Sequence, residues 1–515
     1  MKLSALKCLA FFVLVVTLAY IFTSANKHIT GNPLNDDGLD NLRLAYSIAH
    51  FGTMANVHDI QLSEISPSNS REPVPNWITA QWIKLNENLF SDQTLHLSQT
   101  PKQLVKLKQV NTWILMGVLI GIFVLAYALF NAEFSPVTAF VLAYATLLLS
   151  YACLHTVYVT TMITEFHGAL FVIWFSWALL RFFQTNKWQY SAISGVFLGL
   201  LILTKAAFFY IGIVLLSAVS LWLILQKVTR TFFLKHLLVV FFACLVVLPW
   251  MYRNYIHLGT FEIAGRGPVV LMTRAFKSQM TDEEFKGAFY AYAPASLKKT
   301  MKSITGFSGK DRVLGGRLQR FTRFFPEDEA CRARGAEPCA VGYYIQASIR
   351  YNNILKFYRQ KYSNDPKNAV KLGEQSAKQH AINMIKNNLW GHLKSSLVFA
   401  WRGAWPCNKV DGRWFNHEQK SLQSPWQEIV PFFGLLMMFA MGILAAYKKD
   451  NSMIVLTWLG CLTFLFYAFT THFIPRYSEM MLPIWVVCFV YCLSLVLKTI
   501  LGQYLRTNHK NLKSP

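Results

Sequence analysis

Residues 112–131 read TWILMGVLIGIFVLAYALFN, a run without a single charge. At about 1.5 Å per residue, twenty residues of helix span roughly 30 Å, the hydrocarbon thickness of a bilayer. Working outward, apolar runs recur at 5–23, 135–154, 163–183, 190–204, 206–225, 232–250, 427–446, 453–471 and 478–497. The run at 190–204 is short, and Lys205 separates it from the next. The expected fold is an α-helical polytopic membrane protein with about 10 transmembrane helices. Composition agrees: the 515 residues are 54% hydrophobic and 15% charged, where soluble domains carry about 25% charge. Mean hydropathy is +0.31. These values exclude a disordered chain, a disulfide scaffold and an ordinary cytosolic enzyme.

Short loops set orientation through their Lys/Arg excess. With a cytoplasmic N-terminus, the inside segments hold 13 Lys/Arg against 2 Asp/Glu. Both termini are therefore expected in the cytoplasm. Two long segments fall outside. Segment 24–111 carries 7 Lys/Arg and 8 Asp/Glu, and segment 251–425 carries 28 and 13. Long translocated segments escape the inside rule, so most of the net charge of +24 lies where anionic lipid head groups, phosphates or glycans would meet it. This placement argues against nucleic acid as a partner. The first run also fits a signal peptide, with Lys2 and Lys7 before it and Thr23-Ser24-Ala25 after it. It is long for a cleaved apolar region, and a retained span is expected.

Three parts follow: a transmembrane module over 1–250 with its outer loop at 24–111, an extracytoplasmic domain at 251–425 of mixed, mainly helical structure, and a C-terminal membrane module at 426–515. In the first loop, GNPLNDDGLDNLRLAYSIAHFGT (31–53) offers Asn35 or Asp36 as a cap for an amphipathic helix carrying Leu39, Leu42, Leu44, Ala45, Ile48 and Ala49. A short helix is expected around Trp77–Phe90. Residues 259–340 read as Gly- and Pro-rich turns, 365–388 as a polar-faced helix, and 389–405 (LWGHLKSSLVFAWRGAW) as an interfacial helix. Cys331 and Cys339 flank RARGAEP, and in an oxidising compartment they are expected to pair. No CxxC or Cys/His array argues for zinc.

Four constellations carry chemistry. Asp36, Asp37 and Asp40 sit about a dozen residues past the first span. Acids at a helix start often serve only the macrodipole, but here they are also candidates for a general base or a divalent-metal ligand. Glu165 opens the fourth span beside His167. Two residues apart on a helix, only one of them can face a site. PWMYRNYIHLGTF (249–261) and THFIPRYSEMMLP (471–483) place Arg253 with Tyr255, and Arg476 with Tyr477 and His472, at the same membrane edge as Lys205. Such residues often anchor to lipid. Three cations and two acidic groups converging on one face instead suit a phosphate-binding cavity.

At this point the sequence resembles the GT-C integral-membrane glycosyltransferases, which include the protein O-mannosyltransferases and the aminoarabinose transferase of lipid A. The family's first-loop acidic motif is matched by Asp37, Ala45 and Gly52, with Leu42 in place of an aromatic. A second acid opening a later span is matched by Glu165. A glycine motif is matched by Gly195, Gly199, Leu200, Leu203, Thr204 and Lys205, with Ala206 where Pro is common. The bacterial branch's PW..RNY...G.f pattern is matched by Pro249, Trp250, Arg253, Asn254, Tyr255, Gly259 and Phe261, and a late RY motif by Arg476, Tyr477 and Pro483. The resemblance covers roughly 5–260 and 375–485, while 262–375 matches nothing in the pattern. The usual acidic doublet reads Asn35-Asp36-Asp37-Gly38, leaving the catalytic carboxylate as Asp36 or Asp37.

The resemblance implies a polyprenyl-phosphate sugar donor, with its phosphate at Lys205, Arg253, Arg476 and Tyr477. It implies inverting transfer assisted by Asp37 or Asp36 and by Glu165. Asp40, His167, Tyr255 and His472 remain further cavity candidates. The acceptor would be a glycolipid, polysaccharide or protein of the envelope, and the compartment a bacterial inner membrane. No cofactor is implied with certainty, and a divalent metal stays open. Two alternatives differ in class: an O-antigen-type ligase with a pyrophosphate-linked donor, and a lipid or solute transporter. A carrier would show inverted repeats, and none is visible. A non-catalytic envelope scaffold would be indifferent to all the residues named.

Overall fold

The computed structural model describes residues 2–34, 36–55, 65–91, 99–154, 159–323, 325–406 and 426–511. The first half holds α1 (Lys2–Lys27), α2 (Asp36–Phe51), α3 (Pro73–Leu85), α4 (Glu87–Phe90), α5 (Pro101–Phe130), α6 (Pro136–Cys153), α7 (Glu165–Thr185), α8 (Trp188–Ile202), α9 (Ala207–Leu225) and α10 (Arg230–Leu258). The long middle segment folds as α11 (Gly267–Lys277), α12 (Asp282–Ala291), α13 (Lys298–Thr305), α14 (Pro326–Arg334), α15 (Tyr343–Lys361), α16 (Pro366–Asn387) and α17 (Leu389–Gly403). The chain closes with α18 (Trp426–Lys448), α19 (Asn451–Thr470), α20 (Arg476–Glu479) and α21 (Leu482–Asn511).

Nine of these helices are long and apolar enough to cross a membrane, and α8 is a tenth, shorter apolar helix. The protein is an α-helical polytopic membrane protein. Capping sets the borders. Thr100 and Gln103 form a capping box ahead of Pro101, the first residue of α5. Ser135 caps α6 and Thr229 caps α10. Gly259, at φ 72°, ends α10 in the left-handed conformation that glycine adopts freely. The glycine motif is a packing device. A Cβ on Gly195 would lie 2.5 Å from the Val239 carbonyl, and one on Gly199 2.6 Å from Val246 Cβ. Small residues thus let α8 lie directly against α10.

Residues 259–340 are turn-rich, as expected, and also hold the short helices α11 to α14. Their glycines and prolines punctuate short helices, as where Thr281 and Glu284 box the start of α12 and Gly306 and Gly335 end α13 and α14. Two readings of the sequence need correction. The middle segment is not mixed: among the described residues there is no strand, only an isolated bridge between Ala55 and Pro67. The helix expected near 77–90 starts at Pro73 and breaks at Asn86. The amphipathic reading of α2 is met, with Leu42, Leu44 and Ala45 fully buried. The cap role given to Asn35 and the position of Cys407 lie outside the described residues. Cys331 and Cys339 are disulfide-bonded.

The two long segments pack together over one end of the helix bundle. Lys108 of α5 donates to the carbonyls of Thr30 and Asn32. Glu428, in the first turn of α18, accepts the amides of Ala295 and Ser296. Arg274 is fully buried. It joins α11 to α17 by donating to Ser395, Ser396 and the His392 carbonyl, with its guanidinium over Phe399. Truncating a buried group with that many partners strands hydroxyl and carbonyl groups in the interior. Arg274→Ala should therefore destabilise the α11–α17 region by roughly 2–4 kcal/mol, seen as lost amide-exchange protection there while the membrane helices stay protected.

Candidate active site

The site grows from α2. Its first turn presents Asp37, and Asp40 lies one turn further on. Arg71 donates to Asp37 at 2.5 Å and to Asp40 at 2.9 Å. Arg266 spans the same two carboxylates, at 3.0 Å to each. Arg476 of α20 takes the other Asp37 oxygen and also lies 3.5 Å from Glu165 at the start of α7. Lys205, in the α8–α9 junction, is 3.3 Å from the same Glu165 oxygen. Three guanidiniums thus converge on one aspartate from segments far apart in the chain.

The PWMYRNY motif builds this convergence without touching it. Arg253 donates to the carbonyls of Met54 and Ser68 and to the Asn254 side chain, and its guanidinium covers Trp250. Trp250 and Asn254 hold the carbonyls of Ile263 and Glu262. Gly265 donates to the Asn69 carbonyl. The motif therefore fixes the two backbone stretches that carry Arg71 and Arg266. Glu72 accepts the Ala206 amide beside Lys205, which joins the same frame to the α8–α9 junction.

These groups line a cavity of about 400 Å³. Its lining is part charged, with Asp37, Arg71, Glu72, Glu165, Lys205, Glu262, Arg266, Lys378 and Arg476, and part aromatic and aliphatic, with Phe209, Tyr210, Phe466, Tyr467 and Leu271. Burial opposes ionisation of Asp37, but Arg476, Arg71 and Arg266 outweigh it and hold its carboxyl well below the usual range. Burial disfavours the charged forms of Arg476 and Arg71 as well, and the carboxylates beside them raise both pKa values nonetheless. At the rim, burial and the neighbouring Glu262 push Glu374 of α16 up to about 7, against an opposing pull from Arg359.

Of the residues expected from sequence, the cavity gathers Asp37, Glu165, Lys205, Arg476 and Tyr477. Asp40 braces two of the arginines. The Asp36 side chain lies outside the described residues. Arg253 does not line the cavity, because its donors are spent on backbone carbonyls. Tyr255 is exposed. His167 is buried and does not line the cavity, so Glu165 is the member of that pair that faces it. His472 is not in the lining either; burial and the nearby Lys277, Arg402, Arg323 and Arg476 keep its pKa well below the imidazole range. Sequence reading missed Arg71 and Arg266. A divalent metal does not suit this site. Three guanidiniums face Asp37, and among the described residues no cluster of three or more His, Cys, Asp or Glu could hold one.

No protein-family model matches the chain, and no curated protein matches it. Among solved structures it is similar to the archaeal oligosaccharyltransferase AglB from Archaeoglobus fulgidus, solved with an inhibitory peptide and a dolichol-phosphate. Identity is 12%, the TM-score 0.46, and coverage 97% of this chain and 52% of that one. It is also similar to ArnT from Cupriavidus metallidurans bound to undecaprenyl phosphate, at 12% identity and TM-score 0.37, covering 93% of this chain and 77% of that one. The chain spans about half the length of the oligosaccharyltransferase. Likeness at these scores says nothing of donor or acceptor.

A carboxylate with a depressed folded-state pKa adds stability above its unfolded value, and that stability is lost as pH falls. Asp37 should therefore make the protein less heat-stable as pH drops below about 4. Asp37→Asn should flatten that part of a melting-temperature-against-pH curve. Superimposable curves for the two proteins would show that Asp37 is not so held.

Proposed function

We propose that the protein is a membrane glycosyltransferase that takes a sugar from a polyprenyl-phosphate donor and passes it to an envelope glycolipid, polysaccharide or protein. One observation carries this reading: the cavity combines five cationic side chains, Arg71, Lys205, Arg266, Lys378 and Arg476, with an aromatic, apolar lining in a helix bundle long and apolar enough to span a membrane. An amphiphile with an anionic head and a hydrocarbon tail complements both parts of the lining at once. The orientation that fits places the cavity on the outer side of a bacterial inner membrane, with both termini in the cytoplasm.

In this reading the donor phosphate is met by Lys205, Arg476, Arg71 and Arg266. An acceptor oxygen lone pair forms a bond to the anomeric carbon from the face opposite the phosphate. The anomeric C–O bond breaks as that bond forms, and its electron pair leaves on the phosphate oxygen of polyprenyl phosphate. Charge growing on that oxygen is what fixed cations stabilise. The acceptor proton passes to a carboxylate, Asp37. Asp37 is a weak base while three guanidiniums hold it, and the donor phosphate competes for those same groups. Donor binding would thus release the base.

Transfer from radiolabelled polyprenyl-phosphate sugars by the detergent-solubilised protein tests the assignment. Asp37→Ala and Arg476→Gln should each lose roughly 100-fold or more of turnover in a folded protein. Arg253→Gln should act mainly by loosening the fold, with a lowered melting temperature. Transfer only from pyrophosphate-linked glycans would move the assignment to a ligase. Full activity of Asp37→Ala would overturn it.

A further inference from the structure

Two buried acceptors in the cavity have no donor. Asn41 lies one turn beyond Asp37 on α2, is 5% exposed and lines the cavity. Its Nδ2 donates to the Met162 carbonyl at 2.7 Å, which fixes the orientation of the amide, and its Oδ1 has no hydrogen-bond partner. Glu165, 1% exposed, begins α7 three residues past Met162. Its Oε1 faces Lys205 and Arg476, while its Oε2 has no hydrogen-bond partner. A buried acceptor without a donor costs about 1–3 kcal/mol, and native structures rarely keep one without a reason. Asn41 on α2 and Glu165 at the start of α7 both line the cavity.

The cations of the lining are one-sided, and Glu72 and Glu262 are its other carboxylates. Arg71, Arg266, Arg476 and Lys205 are donors only, and they suit phosphate oxygens. The oxygens of Asp37 are already taken by arginines. A sugar brings hydroxyls, each of which needs an acceptor when it leaves water. We infer that Asn41 Oδ1 and Glu165 Oε2 form the subsite that accepts hydrogen bonds from hydroxyls of the donor sugar, with Asn41 as a residue that positions and selects it. The inference rests on the function proposed above and adds to it which part of the donor each part of the lining holds. The cations hold the phosphate, the aromatic lining holds the tail, and this acceptor pair holds the sugar ring. An amide also discriminates. A donor whose sugar lacks the matched hydroxyl leaves Oδ1 buried and unpaired, so it is rejected without a clash.

The experiment compares affinities of the full-length protein for bare polyprenyl phosphate and for the same lipid carrying glucose, mannose or 4-amino-4-deoxyarabinose. Each ratio is taken within one protein, so a general loosening of the fold cancels. Wild type should bind at least one sugar-bearing lipid more tightly than the bare lipid. Asn41→Ala should reduce that preference about tenfold while leaving affinity for the bare lipid unchanged. Asn41→Asp, which keeps an acceptor oxygen, should recover part of the preference. A preference unchanged in Asn41→Ala, or equal loss of affinity for both lipids, overturns the sugar subsite. Wild type that binds neither the bare lipid nor any sugar-bearing form overturns the donor assignment itself, a separate and distinguishable failure.

Discussion

Everything at the functional end of this protein hangs on the embrace of one aspartate by three arginines. Asp37 sits on α2, Arg71 in the stretch before α3, Arg266 just before α11, and Arg476 on α20. These segments are separated by up to 439 positions in the chain. Taking such charges out of water is costly, and their mutual attraction roughly offsets that cost only when the set is complete. Removing one member of a buried pair costs about 3–5 kcal/mol, because the partner is left buried and uncompensated. The cluster therefore adds little net stability. What it adds is uniqueness: the loops reach a common arrangement only when all four charges meet.

The frame that makes them meet is mostly neutral. Arg253, Trp250 and Asn254 all point at backbone carbonyls of two extended stretches, and Gly265 ties those stretches to each other. A guanidinium on carbonyls is a splint. It fixes backbone position while leaving the charge-bearing side chains of the next few residues free to turn toward α2. The burden of precision rests on α10, a membrane helix whose packing against α8 is set by two glycines. Small residues at the α8–α10 contact thus help to determine where Arg71 and Arg266 stand.

This division explains what was legible in the sequence. The membrane helices announced themselves through uninterrupted apolar runs, because lipid forces every backbone group to bond within its own helix. Glu165, Lys205, Arg476 and Tyr477 were legible because each interrupts or borders such a run, and Asp37 because it opens an amphipathic helix soon after the first one. Arg253 shares that placement and was given a phosphate role for it. Its real partners are carbonyls, which every residue owns, so no side-chain pattern marks them. Arg71 and Arg266 lie in polar stretches where an arginine is unremarked, and only the fold brings them to Asp37. The short helices of the middle segment escaped notice for a related reason. Among α11 to α14, helices of eight to eleven residues, Gly or Pro starts α11 and α14, and Gly ends α13 and α14. Helix-ending punctuation at that density cannot be told from a turn-rich loop by composition.

The same arginine cluster constrains how the chemistry can be ordered in time. With its oxygens occupied, Asp37 is anionic and a poor proton acceptor. A phosphate entering the cavity offers the arginines a second anion, with more oxygens and more charge than one carboxylate. As guanidiniums divide between the two, the pull on Asp37 weakens and its proton affinity rises toward that of an ordinary carboxylate. In the proposed reaction, basicity would then appear only when a leaving group is in place, and a water molecule arriving in a donor-free site would meet an aspartate that is fully engaged. One set of charges can in this way hold the loops together when no donor is bound and supply both phosphate binding and a base when one is. That dual use gives a physical reason for a cluster of buried ions at a site where an apolar core would be easier to build.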